Sequence, residues 1–346
     1  MWHKDFRETG KFPDAGIPRV CPEPHHTRRI QGYMASALVG DLFLPYLLGA
    51  QNQNGGWGFH VGSVSRAEPT VWALTALREC ASIPDHEESV TRALRCLAAA
   101  QLPDGSWPSS PELLQGSWVT SLASLALLGR DTHSKSVAAG LHWLTGDVPG
   151  EARLLRRVAG LLRKRNSVAS QNDSYFGWSW TPGTASWVEP TAYAIIFIRS
   201  VPQDLVSANT RRRLGMAEMM LYDRMCPGGG WNCGNPMVYG VAGESQVSPT
   251  VWALLALRER QERPEVQKSL QWLAGSWKSI RSPGSLALAL MALHVYGLPD
   301  PGLAQALCSM YEEKEILWNV PDVAWAALAL TGATNWLKHK PVGTAD

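Results

Sequence analysis

The chain has 346 residues, a formal net charge of +2, an apolar share of 45% and 16 Trp. That is enough to build a sizeable core, and because the basic residues are not gathered with aromatics, no nucleic-acid partner is expected. Six Cys (Cys21, Cys80, Cys96, Cys226, Cys233, Cys308) lie scattered without a C-x-x-C pair, and MWHKDFRETGKF lacks a charged-then-apolar leader pattern. Both features fit a reducing, cytoplasmic setting.

In chain order, residues 1–34, with their Pro, His and Arg, read as an arm, and 35–346 as one toroid unit with an insertion at 147–180. Amphipathic segments are expected as outer helices at 36–50, 87–101, 134–146, 206–225, 264–275 and 302–313. The first contains MASALVGDLFLPYLLGA, which Asp41 and Pro45 interrupt short of the ~20 apolar residues of a membrane span. Between them stand segments apolar almost all round, at 69–80, 117–129, 190–200, 249–260, 283–297 and 321–331, the mark of helices buried on both sides. Gly-Trp turns read QNQNGGW (51–57), QLPDGSW (101–107), QNDSYFGW (171–178), MCPGGGW (225–231) and a shortened LAGSW (273–277). Gly supplies the positive φ of a chain reversal, and Pro suits the first helical turn. Within the insertion, EARLLRRVAGLLRKRN (151–166) reads as a basic amphipathic helix, a candidate for peripheral contact with an anionic membrane.

Thr70, Thr120, Thr191 and Thr250 mark the same point in successive copies, at steps of 50, 71 and 59 residues. Each copy is a helical hairpin that cannot bury its apolar face alone and must stack on the next. Six such hairpins close an all-α, α6-α6 toroid.

The Q-x-x-x-G-x-W pattern at Gln51–Trp57 and Gln101–Trp107 resembles the QW repeat of squalene-hopene and oxidosqualene cyclases. The openings EPTVWAL, VEPTAYAI and SPTVWAL resemble their inner helices and those of protein prenyltransferase β subunits. The resemblance, to the terpenoid cyclase and protein prenyltransferase superfamily, spans about 35–335. It implies a single-barrel member and class II activity: a protonated carboxyl starts cyclisation or isomerisation of an isoprenoid or prenylated small molecule, with no cofactor. Aligned on the family's D-x-D-D-T segment, Glu189 takes the place of the acid and Thr191 that of the Thr; Glu68 holds the same place in another copy. Glu stands where the family has Asp.

Helix capping is the plain alternative for both glutamates, since a carboxylate at a helix start accepts backbone N–H bonds. Many Trp fall in turns or first turns of inner helices, including Trp57, Trp72, Trp118, Trp187, Trp231, Trp252, Trp318 and Trp325. The expected substrate-binding set is Trp72, Trp178, Trp180, Trp187, Tyr193, Trp231, Trp252, Trp318 and Trp325, whose rings can hold a polyisoprene and stabilise cations; gap-filling between repeats competes for the turn Trp. No metal site is expected: Asp322 opens the last inner helix, but Ala324 stands where the prenyltransferase pattern has Cys, and no D-D-x-x-D segment occurs. Two other functions stay open. One is a non-catalytic lipid-, prenyl- or protein-binding toroid; the other is a polysaccharide-active enzyme using a carboxylate pair such as Glu68 and Glu189.

Overall fold

The computed structural model describes residues 34–80, 86–147, 149–150, 171–312 and 318–337. The expected arm, apart from residue 34, and the basic segment 151–166 lie outside the described residues.

Twelve helices alternate between two layers among the described residues. The outer ones are α1 (34–49), α3 (His86–Ala99), α5 (Ser134–Gly146), α7 (Ala208–Asp223), α9 (Pro264–Ser276) and α11 (Pro301–Glu312). The inner ones are α2 (Ala67–Cys80), α4 (Val119–Leu127), α6 (Val188–Ser200), α8 (Val247–Ala256), α10 (Pro283–Val295) and α12 (Val320–Thr331). Each inner helix packs on the next, and α12 packs on α2, so the ring closes. The expected α6-α6 toroid is the fold. Inner helices are buried along nearly their whole length because they contact two ring neighbours and an outer layer. No helix among the described residues is long and apolar enough to cross a membrane.

One hydrogen-bonded unit recurs four times. The backbone N–H groups of Trp57, Trp107, Trp178 and Trp231 donate to the hydroxyls of Thr70, Thr120, Thr191 and Thr250 at 2.9, 3.0, 2.9 and 2.8 Å. The same four indoles donate to the carbonyls of Leu47, Leu97, Leu144 and Leu221, near the ends of the outer helices, at 2.6, 2.7, 2.9 and 2.6 Å. Each turn Trp thereby staples an outer helix to the inner helix that follows through a carbonyl near the helix end, two of which, Leu97 and Leu221, also accept from the backbone N–H groups of Ala100 and Arg224. Burying an indole removes about 200 Å² from water, roughly 5 kcal/mol of gross transfer energy.

Gln51 and Gln101 extend the unit sideways. Their amides donate to the turn carbonyls of Gly55 and Gly105 and to Ser89 and Ser136, in the next outer helix. The turn glycines lie against those helices. A Cβ on Gly105, whose φ is +89°, would stand 2.7 Å from the Ala139 carbonyl oxygen, and one on Gly55 (φ +86°) 2.5 Å from that of Arg92. Gly105→Ala is therefore expected to cost about 2 kcal/mol or more, from backbone strain plus a clash with main chain that cannot yield. A lowered midpoint in urea unfolding would register it.

The fifth copy differs from its expected form. Gly275 and Ser276 continue α9, and Trp277 donates to Asp300 at 2.8 Å instead of to an outer-helix carbonyl. The loop before α8 adds a hairpin that the sequence reading lacked, β1 (Met237–Val238) against β2 (Val241–Ala242). Its turn residues Tyr239 and Gly240 both have positive φ, 51° and 76°, which suits the twist of a two-residue hairpin. At the far end of the ring, Arg78 of α2 caps Ala126 of α4 (3.0 Å), and Arg199 of α6 donates to Ala256 of α8 and pairs with Glu218.

Candidate functional site

The site follows from helical angle. Residues four apart lie about 40° apart around a helix, and residues two apart about 200°. In E-P-T-x-W and its variants the first and fifth residues therefore share a face, while the Thr points away. Thr70, Thr120, Thr191 and Thr250 turn outward to the staples, so Glu68, Glu189 and Ser248 face the barrel axis one turn above Trp72, Tyr193 and Trp252.

The aromatic rings meet on the axis. Trp72 of α2 lies 5.1 Å, centroid to centroid, from Trp252 of α8, on the opposite side of the ring. Trp325 is 5.8 Å from Trp72 and 6.3 Å from Trp252, and Trp336, just beyond α12, is 5.7 Å from Trp72. On the other flank Tyr193 is 4.8 Å from Trp252 and stacks on Trp118 at 5.4 Å, and Trp118 meets Trp180 at 4.9 Å. Trp72, Tyr193, Trp252 and Trp325 come from equivalent depths of the inner helices, each the sixth residue of its helix, and with Trp118, Trp180 and Trp336 they form a floor across the barrel. Among the described residues, the indole N–H groups of Trp72, Trp252, Trp325 and Trp336 have no hydrogen-bond acceptor.

Carboxyl groups stand above the floor, at the end where the inner helices begin. Glu68 is half-buried, and its pKa is pushed up to about 7, first by burial and then by the charge of Glu189. Glu189 accepts a hydrogen bond from the Ser248 hydroxyl at 2.6 Å; burial raises its pKa and that bond pulls it back. The two carboxyls differ in one respect: among the described residues, Glu68 has no such donor. Burial first, then Glu189 and Glu68, hold the Tyr193 phenol well above its usual range. On α12, Asp322 accepts from the Asn319 amide at 2.6 Å and packs against Gly284 of α10. Its pKa is raised by burial and lowered by Asn319.

Neither glutamate caps its helix. Each is the second helical residue, and no backbone N–H among the described residues donates to its carboxyl. The free N–H groups at the inner-helix starts are met instead by loop carbonyls: Val188 donates to Cys233 (3.2 Å), Trp118 to Trp180 (3.3 Å) and Val320 to Phe59 (2.9 Å).

Of the residues expected from sequence, the fold gathers Glu68, Glu189, Trp72, Tyr193, Trp252, Trp325 and Trp180. It places others elsewhere. Thr191 is fully buried against Trp178 and faces away from the Glu189 carboxyl, and Trp178 and Trp231 are staples inside the wall. Trp318 joins a separate cluster with Phe43, Tyr46 and Tyr311. Trp187 precedes α6, its backbone near Gly234. Four contributors were missing from the expected set: Ser248, Trp118, Trp336 and Asp322. Ser248 and Trp118 both stand two residues before a repeat Thr, the place of Glu68 and Glu189, so repeat register could have found them. Trp336 carries no repeat signal.

No protein-family model matches the chain. Drimenyl diphosphate synthase of Streptantibioticus cattleyicolor is 40% identical over 67 residues, a match spanning 19% of this chain and only 12% of that relative. Among solved structures, the type II terpene cyclase MstE from Scytonema in complex with merosterolic acid A superposes with a TM-score of 0.54 at 14% identity, covering 88% of this chain and 98% of that one. The chain has the fold of the type II terpene cyclases. The MstE complex with geranylgeranyl dihydroxybenzoate gives 0.53 at 13% identity over 89% and 99% of the two chains. Cellobiose 2-epimerase from Spirochaeta thermophila shares the toroid too, with a TM-score of 0.57 at 11% identity over 90% and 97%. Chemistry therefore has to be argued from the site.

Proposed function

We propose that the chain is a class II terpene cyclase-like enzyme that protonates a double bond or epoxide of an isoprenoid or prenylated substrate, so that the resulting cation cyclises or rearranges. The observation that carries this reading is Glu68, a first-turn carboxyl whose pKa of about 7 keeps a large protonated fraction at neutral pH, poised above an indole floor. In the alkene case its proton adds to one carbon, and the cation left on the other is attacked by the π electrons of the next double bond. The last cation loses an adjacent proton to the Glu189 carboxylate, which Ser248 favours in ionised form. Substrate and product are then isomers, and the carboxyl pair regains its starting state by proton exchange. Trp72, Trp252, Tyr193 and Trp118 are placed to stabilise cations at ~0.5–2 kcal/mol per desolvated ring. The likeness to MstE, solved with a geranylgeranyl substrate, supports the substrate class.

A second reading rests on the Trp72–Trp252 contact, which crosses the barrel axis: a non-catalytic toroid that binds a protein, or holds an isoprenoid above the floor without converting it. The polysaccharide-active reading has the epimerase likeness behind it, but packed indoles occupy the axis where a sugar groove would run. The test is mass-spectrometric product analysis of the purified protein with polyprenes, epoxypolyprenes and prenylated aromatics. A cyclic isomer is expected; substrate that binds and is recovered unchanged gives the carrier reading the lead.

A further inference from the structure

We infer that the Trp72–Trp252 contact is a gate in the middle of the barrel: when the two indoles part, the tail of a long chain passes into a second recess beneath them, lined by Thr75 and Leu125, and the depth of that recess sets the length of chain the protein takes. The inference rests on the reading of the barrel as an isoprenoid site, which the cyclase and the prenyl carrier share, and it concerns what lies below the floor.

The buried indoles fall into two groups. Those of the wall, Trp57, Trp107, Trp178 and Trp231, each donate to a main-chain carbonyl at 2.6 to 2.9 Å. Those of the axis, Trp72, Trp252, Trp325 and Trp336, have buried N–H groups with no acceptor among the described residues, although buried donors are nearly always bonded. A wall indole is therefore fixed by a directional bond to main chain, whereas an axial one is held by ring contact. Packing four such donors together without acceptors also costs the closed floor free energy that a parted arrangement regains. Parting needs rotation of side chains and leaves the ring of helices in place.

Space for the tail lies beneath Trp72. Three residues, about 4.5 Å along the helix, below the floor positions the side chains still face the axis. There α2 carries Thr75 and α4, after Leu122, carries Leu125; the other inner helices carry Ile196, Leu255, Met291 and Leu328. Those four are closed by packing, at 1% exposure or less. Thr75 and Leu125 are only half-buried, in stretches of helix whose neighbouring residues are buried. Because α2 and α4 adjoin in the ring, the two open positions share one space, on the side of the barrel from which Trp72 projects. Thr75 turns its hydroxyl to the Val71 carbonyl at 2.8 Å, which satisfies its polarity within its own helix. Residues 332–337 cross the far end: Trp336 stands edge-on to Trp72 at 5.7 Å, and the Leu337 carbonyl accepts from Arg258, just beyond α8, at 2.7 Å. The lower recess is thus a dead end, and a chain that enters it stops there.

Geraniol and geranylgeraniol, which share a head group and differ in length, test the gate by titration of Trp fluorescence. Thr75→Phe fills the lower recess; it is expected to weaken geranylgeraniol at least about tenfold and to leave geraniol, short enough to stay above the floor, within about twofold. A second readout uses the wild type. Two indoles 5.1 Å apart give an exciton couplet in far-ultraviolet circular dichroism, assigned by its loss in Trp252→Phe; geranylgeraniol is expected to remove it and geraniol to preserve it. A couplet that survives saturation with geranylgeraniol overturns the inference. So does a Thr75→Phe protein with a normal melting transition that weakens both alcohols alike or neither, and so does failure of geranylgeraniol to bind. Product analysis on the same alcohols keeps the two readings apart. Geranylgeraniol that removes the couplet and is recovered unchanged removes the cyclase reading and leaves the gate; geranylgeraniol that is cyclised with the couplet intact does the reverse.

Discussion

Glu68→Gln is expected to lower product formation by about 10³-fold while the protein remains folded, because the amide keeps the shape of the carboxyl and cannot donate its proton to an alkene. The wild-type rate should fall as pH rises through about 7, where Glu68 ionises. Glu189→Gln tests the assignment of roles. Removing the Glu189 charge lowers the Glu68 pKa, so the fall in rate should move to lower pH while part of the activity survives. If Glu189→Gln were the inactive variant and Glu68→Gln only shifted the profile, the proton donor would be Glu189. Stability supplies a readout independent of turnover. The folded state binds the Glu68 proton more tightly than the unfolded chain, so this stabilisation is present below the usual carboxylate range and is lost as pH rises through about 7. Glu68→Gln should accordingly melt at a higher temperature than wild type at pH 8, with the difference vanishing near pH 4.

Trp231→Ala is expected to be the most destabilising single change in the wall, at about 3–5 kcal/mol. It empties a fully buried indole volume and removes the 2.6 Å indole bond to the Leu221 carbonyl, which keeps only the 3.2 Å bond from the Arg224 N–H. In a chain of this size that corresponds to roughly 5 °C in Tm. Thr250→Val isolates the other half of the staple. The side chain keeps its shape, but the buried Trp231 N–H loses its 2.8 Å acceptor, at a cost of about 1–3 kcal/mol. Urea unfolding should show a lowered midpoint at unchanged slope for both. A Trp231→Ala protein as stable as wild type would remove the staple from the account of the fold.

The carboxyl pair and the staple occupy the same short motif, and this decides what could be read from the chain. In E-P-T-x-W the Thr and the Glu are two residues apart, so helical geometry alone sends them to opposite faces: Thr191 serves the Trp178 staple and could not have held the Glu189 carboxyl. The sequence by itself determined the helices, their inner and outer layers and the ring, because each rests on a local period repeated with punctuation that short-range sterics enforce. It also placed Glu68 and Glu189 at inner-helix starts. Only the tertiary structure set the balance of proton affinity between the two carboxyls. That balance depends on a hydroxyl from α8 that reaches Glu189 and not Glu68, on burial by neighbouring helices, and on the charge of one glutamate acting on the other. Likewise, Trp72 and Trp252 meet only because the ring closes and brings opposite helices within 5.1 Å, a contact between residues 180 positions apart that no local pattern encodes.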